Sequence, residues 1–422
     1  MTFRNTGTAP VNVVLTPQDG TYTPDSHPGQ PAKPSVNAPV RHLSGTYTAG
    51  PLLAGETATA ASSAAATNAA GTAWATADAL PTSVMDSASV TLDGKVYTFG
   101  GVGQAGPQYQ AYVHDPVAGG WKRLANMPQA LEKPGAVAID GKIYVVGGWD
   151  VNGDASAATY RYDPASDSWT SVASLPAPAV AGGTAVLGGR LYVIAGCAGN
   201  CAPASQATYV YDPTTDAWSQ AADYPITDAW FSCAGIDAEV VCTGGTDPQT
   251  ALETAATYAF DPTTGAWTAK AALPYTNWGM ASASADGRLQ VLGGVTAGQL
   301  TNQTEEYDPA TDTWSSLPAM NTLAYRASGA CGLYVVGGAT DNKNVLPTVE
   351  QLPGYEDCGT SGAATWLSAP HTVTVAPGAT VTVPVTLNAG AVAKTGTYTS
   401  GLTIGTDTPY SLPALTATMK VR

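Results

Sequence analysis

The sequence predicts an all-β fold in which a β-propeller, a ring of six four-stranded blades, interrupts a β-sandwich. Three observations carry this. Six tryptophans, Trp74, Trp121, Trp169, Trp218, Trp267 and Trp314, recur at steps of 47, 48, 49, 49 and 47 residues. About 20 residues after each comes a hydrophobic run closing in a glycine pair, as in VYTFGG, IYVVGG, VVCTGG, LQVLGG and LYVVGG; the third copy, LYVIAG, has Ala195 in the first glycine's place. Both ends of the chain alternate apolar and polar residues with the period of a strand. A period in the high forties marks one supersecondary unit that cannot bury both its faces alone, so its copies pack around an axis.

Each element of the repeat has a local cause. Strand A, nearest the axis, is built from small residues (SASVTL, GAVAI, GTAVL), as crowding there requires. Asp93-Gly94, Asp140-Gly141, Gly188-Gly189 and Asp286-Gly287 tolerate the positive φ of a two-residue hairpin and lead into strand B. The glycine pair ends strand B where backbones approach closely. Strand C ends in an aromatic and Asp-Pro (Tyr162-Asp163-Pro164, Tyr211-Asp212-Pro213, Phe260-Asp261-Pro262, Tyr307-Asp308-Pro309), which sets the C–D turn. The tryptophan then opens strand D and wedges between blades.

Five complete blades run from about Asp86 to Met320, and a sixth begins at Ala327 with SGACGLYVVGG but has no tryptophan strand after it. The spare copy, TAWATADALP at 72–81, lies ahead of blade one and matches DSWTSVASLP at 167–176. The earlier strand therefore completes the last blade, and closure removes two exposed sheet edges. With its double glycine, tryptophan and Asp-Pro, the repeat resembles the kelch family of β-propellers over residues 72–358.

The chain carries a net charge of −15 with only 12% charged residues, which argues against a nucleic-acid partner. No apolar run reaches the length of a membrane helix. The start, MTFRNTGTAPVNVVL, has no charged-then-apolar leader, yet the six cysteines read as oxidised. Together these predict a secreted, extracellular protein seen as a fragment. Cys233 and Cys242 flank a presumed turn at Asp237-Ala238 and so oppose each other on strands A and B. Cys197 and Cys201 close a small B–C loop. Cys331 in an A–B turn and Cys358 near a C–D corner fall on the same face of blade six. Zinc is the rival, but no histidine lies near any pair and C-x₃-C supplies two ligands alone. No metal or other cofactor is expected.

Val381, Val383, Val385 and Leu387 share one face of a predicted strand, as do Leu415, Ala417, Met419 and Val421. About four strands from His371 to Arg422 are too few for a sandwich. Phe3 and the alternating Val11, Val13 and Leu15 supply what is missing. The organisation expected is residues 1–22 as the first part of an immunoglobulin-like domain, 23–71 as a Pro-, Ala- and Ser-rich linker, 72–358 as the propeller, with 72–81 closing its last blade, and 359–422 as the second part. NTGTAPVNVVL, the kelch repeats, TWLSAP, VAPGATVTVPVTL and GTYTSGLTIGTDTPY resemble the C-terminal regions of secreted bacterial subtilisin-like serine peptidases. That resemblance implies a catalytic domain upstream in the full-length chain. Gly359-Thr360-Ser361 is only the first half of that family's G-T-S-M-A motif and has no partner His or Asp box, so the chain itself is not expected to be an enzyme.

The B–C and D–A loops share the face around the channel mouth. There the sequence places Asp86, Lys133, Trp149, Trp230, Asn277, Trp278, Tyr325 and Arg326. The three tryptophans stand outside the repeat slot. Aromatic platforms with a few polar groups suit a glycan or a peptide; equally, tryptophans just before strand A can plug the axis. The expected function is a non-catalytic binding or spacer module of a secreted peptidase, with a polysaccharide or protein ligand. The alternative is a carbohydrate isomerase or oxidase working in the channel mouth. Copper-radical oxidases need converging histidines and tyrosines, whereas His114 merely fills an aromatic slot. Sialic-acid mutarotases, also kelch propellers, need an acid and a base in the well, for which Glu132 and Arg326 would serve. Asp150, Asn152 and Asp154 mimic half a calcium loop but lack its glycine and glutamate.

Overall fold

The computed structural model describes residues 73–358, apart from 200, 202, 203, 237, 286, 342, 343, 356 and 357, together with strands nearer both ends. It divides into two compact units, one of Ser35–Cys358 and the other of Met1–Pro34 with Gly359–Arg422.

The larger unit holds six four-stranded antiparallel blades. Blade one is Ala88–Leu92, Lys95–Phe99, Ala111–His114 and Trp121–Arg123. The sixth is Ser328–Ala330, Tyr334–Val336 and Val349–Gln351, and its outer strand is Ala75–Thr76, paired through Gln351↔Ala75 and Glu350↔Thr76. The ring is thus closed by a strand that precedes blade one in sequence.

One bond repeats at every blade joint. The indole N–H of each repeat tryptophan donates to a carbonyl at the end of the preceding blade's outer strand: Trp74 to Pro318, Trp121 to Asp78, Trp169 to Ala125, Trp218 to Ala173, Trp267 to Ala222 and Trp314 to Ala271, all at 2.6–3.0 Å. In blades two, three and five a tyrosine hydroxyl donates to an aspartate five residues on: Tyr162 to Asp167, Tyr211 to Asp216 and Tyr307 to Asp312. Each of those carboxylates also accepts a backbone N–H from the neighbouring blade, at Ala125, Ala173 and Ala271. Blade four has Phe260 and Gly265 at these two positions, so hydroxyl and carboxylate are absent together. In blade one His114 takes the aromatic slot, with Nδ1 2.9 Å from the Gly120 carbonyl oxygen and its ring 5.2 Å from that of Trp121. It packs like the aromatics it replaces.

The glycine pair has the same inter-blade logic. The second glycine's N–H donates to a carbonyl in the loop entering the next blade: Gly101 to Leu131, Gly148 to Ala179, Gly196 to Asp228, Gly245 to Asn277, Gly294 to Ala324 and Gly338 to Val84, at 2.7–3.0 Å. A Cβ on the first glycine would meet that same carbonyl oxygen, at 2.2 Å for Gly147 and for Gly337. The backbone passes where a Cβ is crowded, and in five of the six copies the residue is glycine; blade three holds Ala195 there, with φ +51°. Strand A is small for a related reason: a Cβ on Gly183 would lie 2.2 Å from Cys233 Sγ, and one on Gly329 2.1 Å from the Ser282 carbonyl oxygen.

The disulfides are Cys197–Cys201, Cys233–Cys242 and Cys331–Cys358. Cys233 and Cys242 face each other directly in register, with Cα atoms 4.1 Å apart, the close spacing of a non-hydrogen-bonded pair.

The smaller unit interleaves the chain ends. Val11–Pro17 lies between Thr372–Val375 and Gly396–Thr406; Thr21–Pro24 and Leu415–Val421 also pair with Gly396–Thr406. Thr2–Arg4 pairs with Thr380–Thr382, and Leu367–Ser368 with Thr386–Leu387. Two expectations change here. The alternating run from Val381 to Leu387 is not one strand: pairing stops at Thr382 and resumes at Thr386, either side of Pro384, which has no N–H for a ladder. The stretch read as linker, 23–71, also carries strand structure: the strand Thr21–Pro24 runs two residues into it, and Thr59–Ala60 lies parallel to Gln299–Leu300 of blade five. Gly359-Thr360-Ser361 lies outside the described residues.

Deleting residues 1–17 is expected to strip Thr372–Val375 and one edge of Gly396–Thr406 of their partner. The C-terminal 64 residues (359–422) should then become protease-sensitive while the propeller's own melting transition stays in place. A deletion that leaves the C-terminal segment resistant shows that it folds without the first strands.

Candidate functional site

Twelve residues after each repeat tryptophan stand Asp86, Lys133, Ala181, Trp230, Gly279 and Arg326, one per blade. All six have left-handed backbone, with φ from +53° to +63°. For the five that are not glycine this costs about 1–2 kcal/mol each. Backbone hydrogen bonds running around the axis hold five of the six by their N–H groups. The N–H of Asp86 donates to Arg326, Lys133 to Asp86, Trp230 to Ala181, Gly279 to Trp230 and Arg326 to Gly279, at 2.6–2.9 Å. The preceding residue in each blade bridges to that blade's own B–C loop: Met85 to Val102, Glu132 to Trp149, Val180 to Cys197, Ala229 to Thr246, Trp278 to Val295 and Tyr325 to Ala339. Four of the candidate residues, Asp86, Lys133, Trp230 and Arg326, are themselves ring residues.

Three of the ring side chains are charged and, with Glu132, form one cluster. Arg326 Nε donates to Asp86 Oδ2 at 2.6 Å and Nη2 to Glu132 Oε1 at 3.0 Å; Nη2 also pairs with Asp86 Oδ2. Lys133 Nζ lies 3.8 Å from Asp86 Oδ1, which has no hydrogen-bond partner among the described residues. The Asp86 and Glu132 side chains are fully buried, and that of Arg326 is 3% exposed. Two carboxylates face two cations, so the cluster is neutral as a whole, as buried charge must be to persist. Burial works against the guanidinium charge, but Asp86 and Glu132 outweigh it and keep Arg326 protonated beyond its usual range. Lys133 is pulled the other way: burial, abetted by Arg326, lowers its ammonium against the attraction of Asp86.

The aromatic candidates sit over this ring as a plug. Trp149, Trp230, Trp278 and Tyr325 belong to one buried cluster with Met85, Val180, Cys197 and Leu300. Their rings follow one another at 5.8, 6.4 and 5.8 Å between centroids. The Trp149 indole N–H donates to Gly199 in the loop that Cys197–Cys201 closes. Trp230 and Trp278 are only 4% and 6% exposed, so the expected open aromatic platform is not what they form. Trp230 is held there by its own ring bond to Ala181, and Trp278 by its bridge to Val295 beside the ring residue Gly279. Asn277 is also buried, its Nδ2 donating to the Gly293 carbonyl.

The eight candidates therefore converge on one place, but as a seal rather than a cleft. Glu132, weighed on the sequence with Arg326 as the acid and base of the carbohydrate-enzyme alternative, belongs to the charged centre. Asp228 and Tyr224 were missed; both are buried with an unpartnered side-chain oxygen, Oδ2 and OH, among the described residues. The available signal was position: Asp228, like Asn277, lies two residues before the ring in a slot that is Val84, Leu131, Ala179 and Ala324 in the other blades. Among the described residues no three His, Cys, Asp or Glu side chains gather to hold a metal ion. Asp150 Oδ1 accepts the N–H groups of Asn152 and Asp154, an ordinary Asx turn.

Comparison with known proteins agrees with this geometry. A model of the KLHDC2/KLHL20/DRC7 Kelch-repeats domain matches residues 66–245, and one of the Kelch motif matches 279–321. Among solved structures the chain is similar to YjhT, at 18% identity and a TM-score of 0.56, over 64% of this chain and 95% of that one. At that identity the likeness speaks to the fold alone. No curated protein matches the chain. The larger unit is a β-propeller of six blades built from kelch repeats.

Proposed function

We propose that the chain is a non-catalytic spacer and binding module of a secreted enzyme, its propeller a rigid body and its end-to-end unit an immunoglobulin-like domain. The observation that carries this is the state of the channel mouth. The residues from which a site would be built are spent on the ring, the ion cluster and the plug. Catalysis needs an acid or base within reach of a substrate atom, whereas Asp86, Glu132 and Arg326 are buried and engaged in one ion cluster with Lys133. A polysaccharide or protein partner would meet the exposed B–C loops of that face, not the indoles. The three disulfides support an extracellular setting, and the sequence resemblance supports a peptidase domain upstream.

The test compares the full-length secreted enzyme with a form lacking this region. Turnover of a small soluble substrate should be equal, and activity on an insoluble polymer should fall when the region is removed. The chain alone should accelerate neither sugar mutarotation nor sugar oxidation. Acceleration by the chain that disappears in Glu132→Gln would make the carbohydrate-enzyme reading the correct one.

A further inference from the structure

We propose that Asp228 is a built-in pH sensor: it is carried as a neutral acid, and loss of its proton loosens the joint between blades three and four. Its carboxyl is fully buried, and Cα of Gly245 presses so close that a Cβ there would lie 2.2–2.5 Å from the carboxyl atoms. Oδ1 accepts the Ala229 N–H at 2.8 Å, whereas Oδ2 has no partner among the described residues. No cation pairs with it among those residues. The titratable groups around it are Tyr224, in the loop before it, and Asp247, on the B–C hairpin of its own blade; neither offers positive charge.

The repeat shows what the slot wants. In the next blade the equivalent residue is Asn277, and its amide N–H donates to the Gly293 carbonyl, the first glycine of its own blade's pair. The matching acceptor for residue 228 is the Gly244 carbonyl, beside the Gly245 that touches its carboxyl. A protonated Asp228 has an O–H to give there, as asparagine has an N–H; an ionised one has only lone pairs to set against a carbonyl oxygen. An isolated buried carboxylate is strongly disfavoured and takes up a proton instead. Burial raises this carboxyl, Asp247 adds to the rise, and the Ala229 and Thr246 N–H groups oppose it without prevailing. The sign follows. A raised acid contributes its full stability below the unfolded-state value of about 3.9 and loses it as pH climbs toward the folded value. The joint at stake is specific: the Asp228 carbonyl accepts the Gly196 N–H of blade three at 3.0 Å, and two residues on Trp230 enters the ring and the plug.

Melting of the whole chain from about pH 4 to pH 9 tests this, with Asp228→Asn and Asn277→Asp as paired variants. Asp228→Asn should match wild type near pH 4 and melt progressively higher than it as pH rises. Asn277→Asp should acquire a second loss of stability over the same range. In wild type, exchange of the Gly196 N–H should speed up with pH by more than the intrinsic rate, and Asp228→Asn should abolish that excess. A gap between Asp228→Asn and wild type that does not change with pH, or an Asn277→Asp variant with no added pH dependence, overturns the proposal. If Asp228→Asn fails to fold, Asn277→Asp and the exchange of Gly196 decide it.

Discussion

Replacing Arg326 with alanine is expected to destabilise the propeller by about 3–5 kcal/mol, the cost of leaving a buried partner uncompensated. Two carboxylates lose their shared cation at once, since Arg326 donates to both Asp86 and Glu132. Lys133 is placed to compensate Asp86, from which its ammonium lies 3.8 Å, and no ion pair with Glu132 is seen among the described residues. The location matters as much as the magnitude. Arg326 enters blade six, Asp86 blade one and Glu132 the start of blade two, so the cluster spans the seam where the chain's last and first blades meet. Exchange of the Asp86 N–H, which is bonded to the Arg326 carbonyl, should rise more than that of the Trp230 N–H, which is bonded to the Ala181 carbonyl on the far side of the ring. Urea denaturation followed by near-ultraviolet dichroism would give the loss. The pair Arg326→Met with Glu132→Gln removes one charge of each sign and leaves Asp86 to Lys133. It should recover much of the stability, as apolar replacement of whole buried ion sets does elsewhere. A single variant that loses under about 1 kcal/mol, the worth of an exposed pair, would show that water reaches the cluster and that it does not hold the seam.

The repeat was legible because its landmarks answer to local necessity. A carbonyl crosses each glycine pair, so Gly147 and Gly337 tolerate no Cβ, and each repeat tryptophan needs an acceptor in the preceding blade. The tryptophan bond recurs in all six copies and the first glycine in five, with Ala195 in blade three, and both show as a period. The ring was hidden although it follows the same period. Asp86, Lys133, Ala181, Trp230 and Arg326 share no side-chain property, and only Gly279 hints at the positive φ they all adopt. What they share is a backbone bond to a residue about 48 positions away, which leaves no trace in side-chain identity. The tryptophans of the mouth were legible as outsiders to the repeat, yet a plug and a platform use the same residues. Which one forms depends on how closely neighbouring loops approach, and that is a property of the closed ring. In the smaller unit the alternation of Val381 to Leu387 overstated one strand, because the pattern of faces survives where the hydrogen bonding of the ladder does not.

Removing the Trp74 side chain should cost as much as losing Arg326 and act on the other side of blade six, at its joint with blade five. Trp74 is 5% exposed and packs with Leu292, Met320, Leu333 and Leu352; its indole N–H donates to Pro318, and its carbonyl accepts from Asn321 Nδ2 at 3.0 Å. Truncating a buried tryptophan to alanine costs about 3–5 kcal/mol. For the other repeat tryptophans that loss falls on a strand held in its blade by a short connection, as Trp169 is by the turn from Asp163. The strand of Trp74 has no such tether. It is held to blade six by two register pairs with Gln351 and Glu350, by the Ala77 and Leu80 N–H groups donating to Val349 and Pro347, and by the packing of the indole, and it is continuous in sequence with blade one instead. Loss of the indole should therefore release the outer edge of blade six before the rest of the ring unfolds. The measurement is limited proteolysis with mass spectrometry, comparing Trp74→Ala with Trp169→Ala at a temperature where both remain mostly folded. Trp74→Ala should be cut first between residues 72 and 81, with blades two to five intact, whereas Trp169→Ala should show no early cleavage there. If both variants lose similar stability and neither opens at 72–81, the closing strand is held by the backbone ladder and by Leu80 in its own cluster, and the tryptophan is not what shuts the ring.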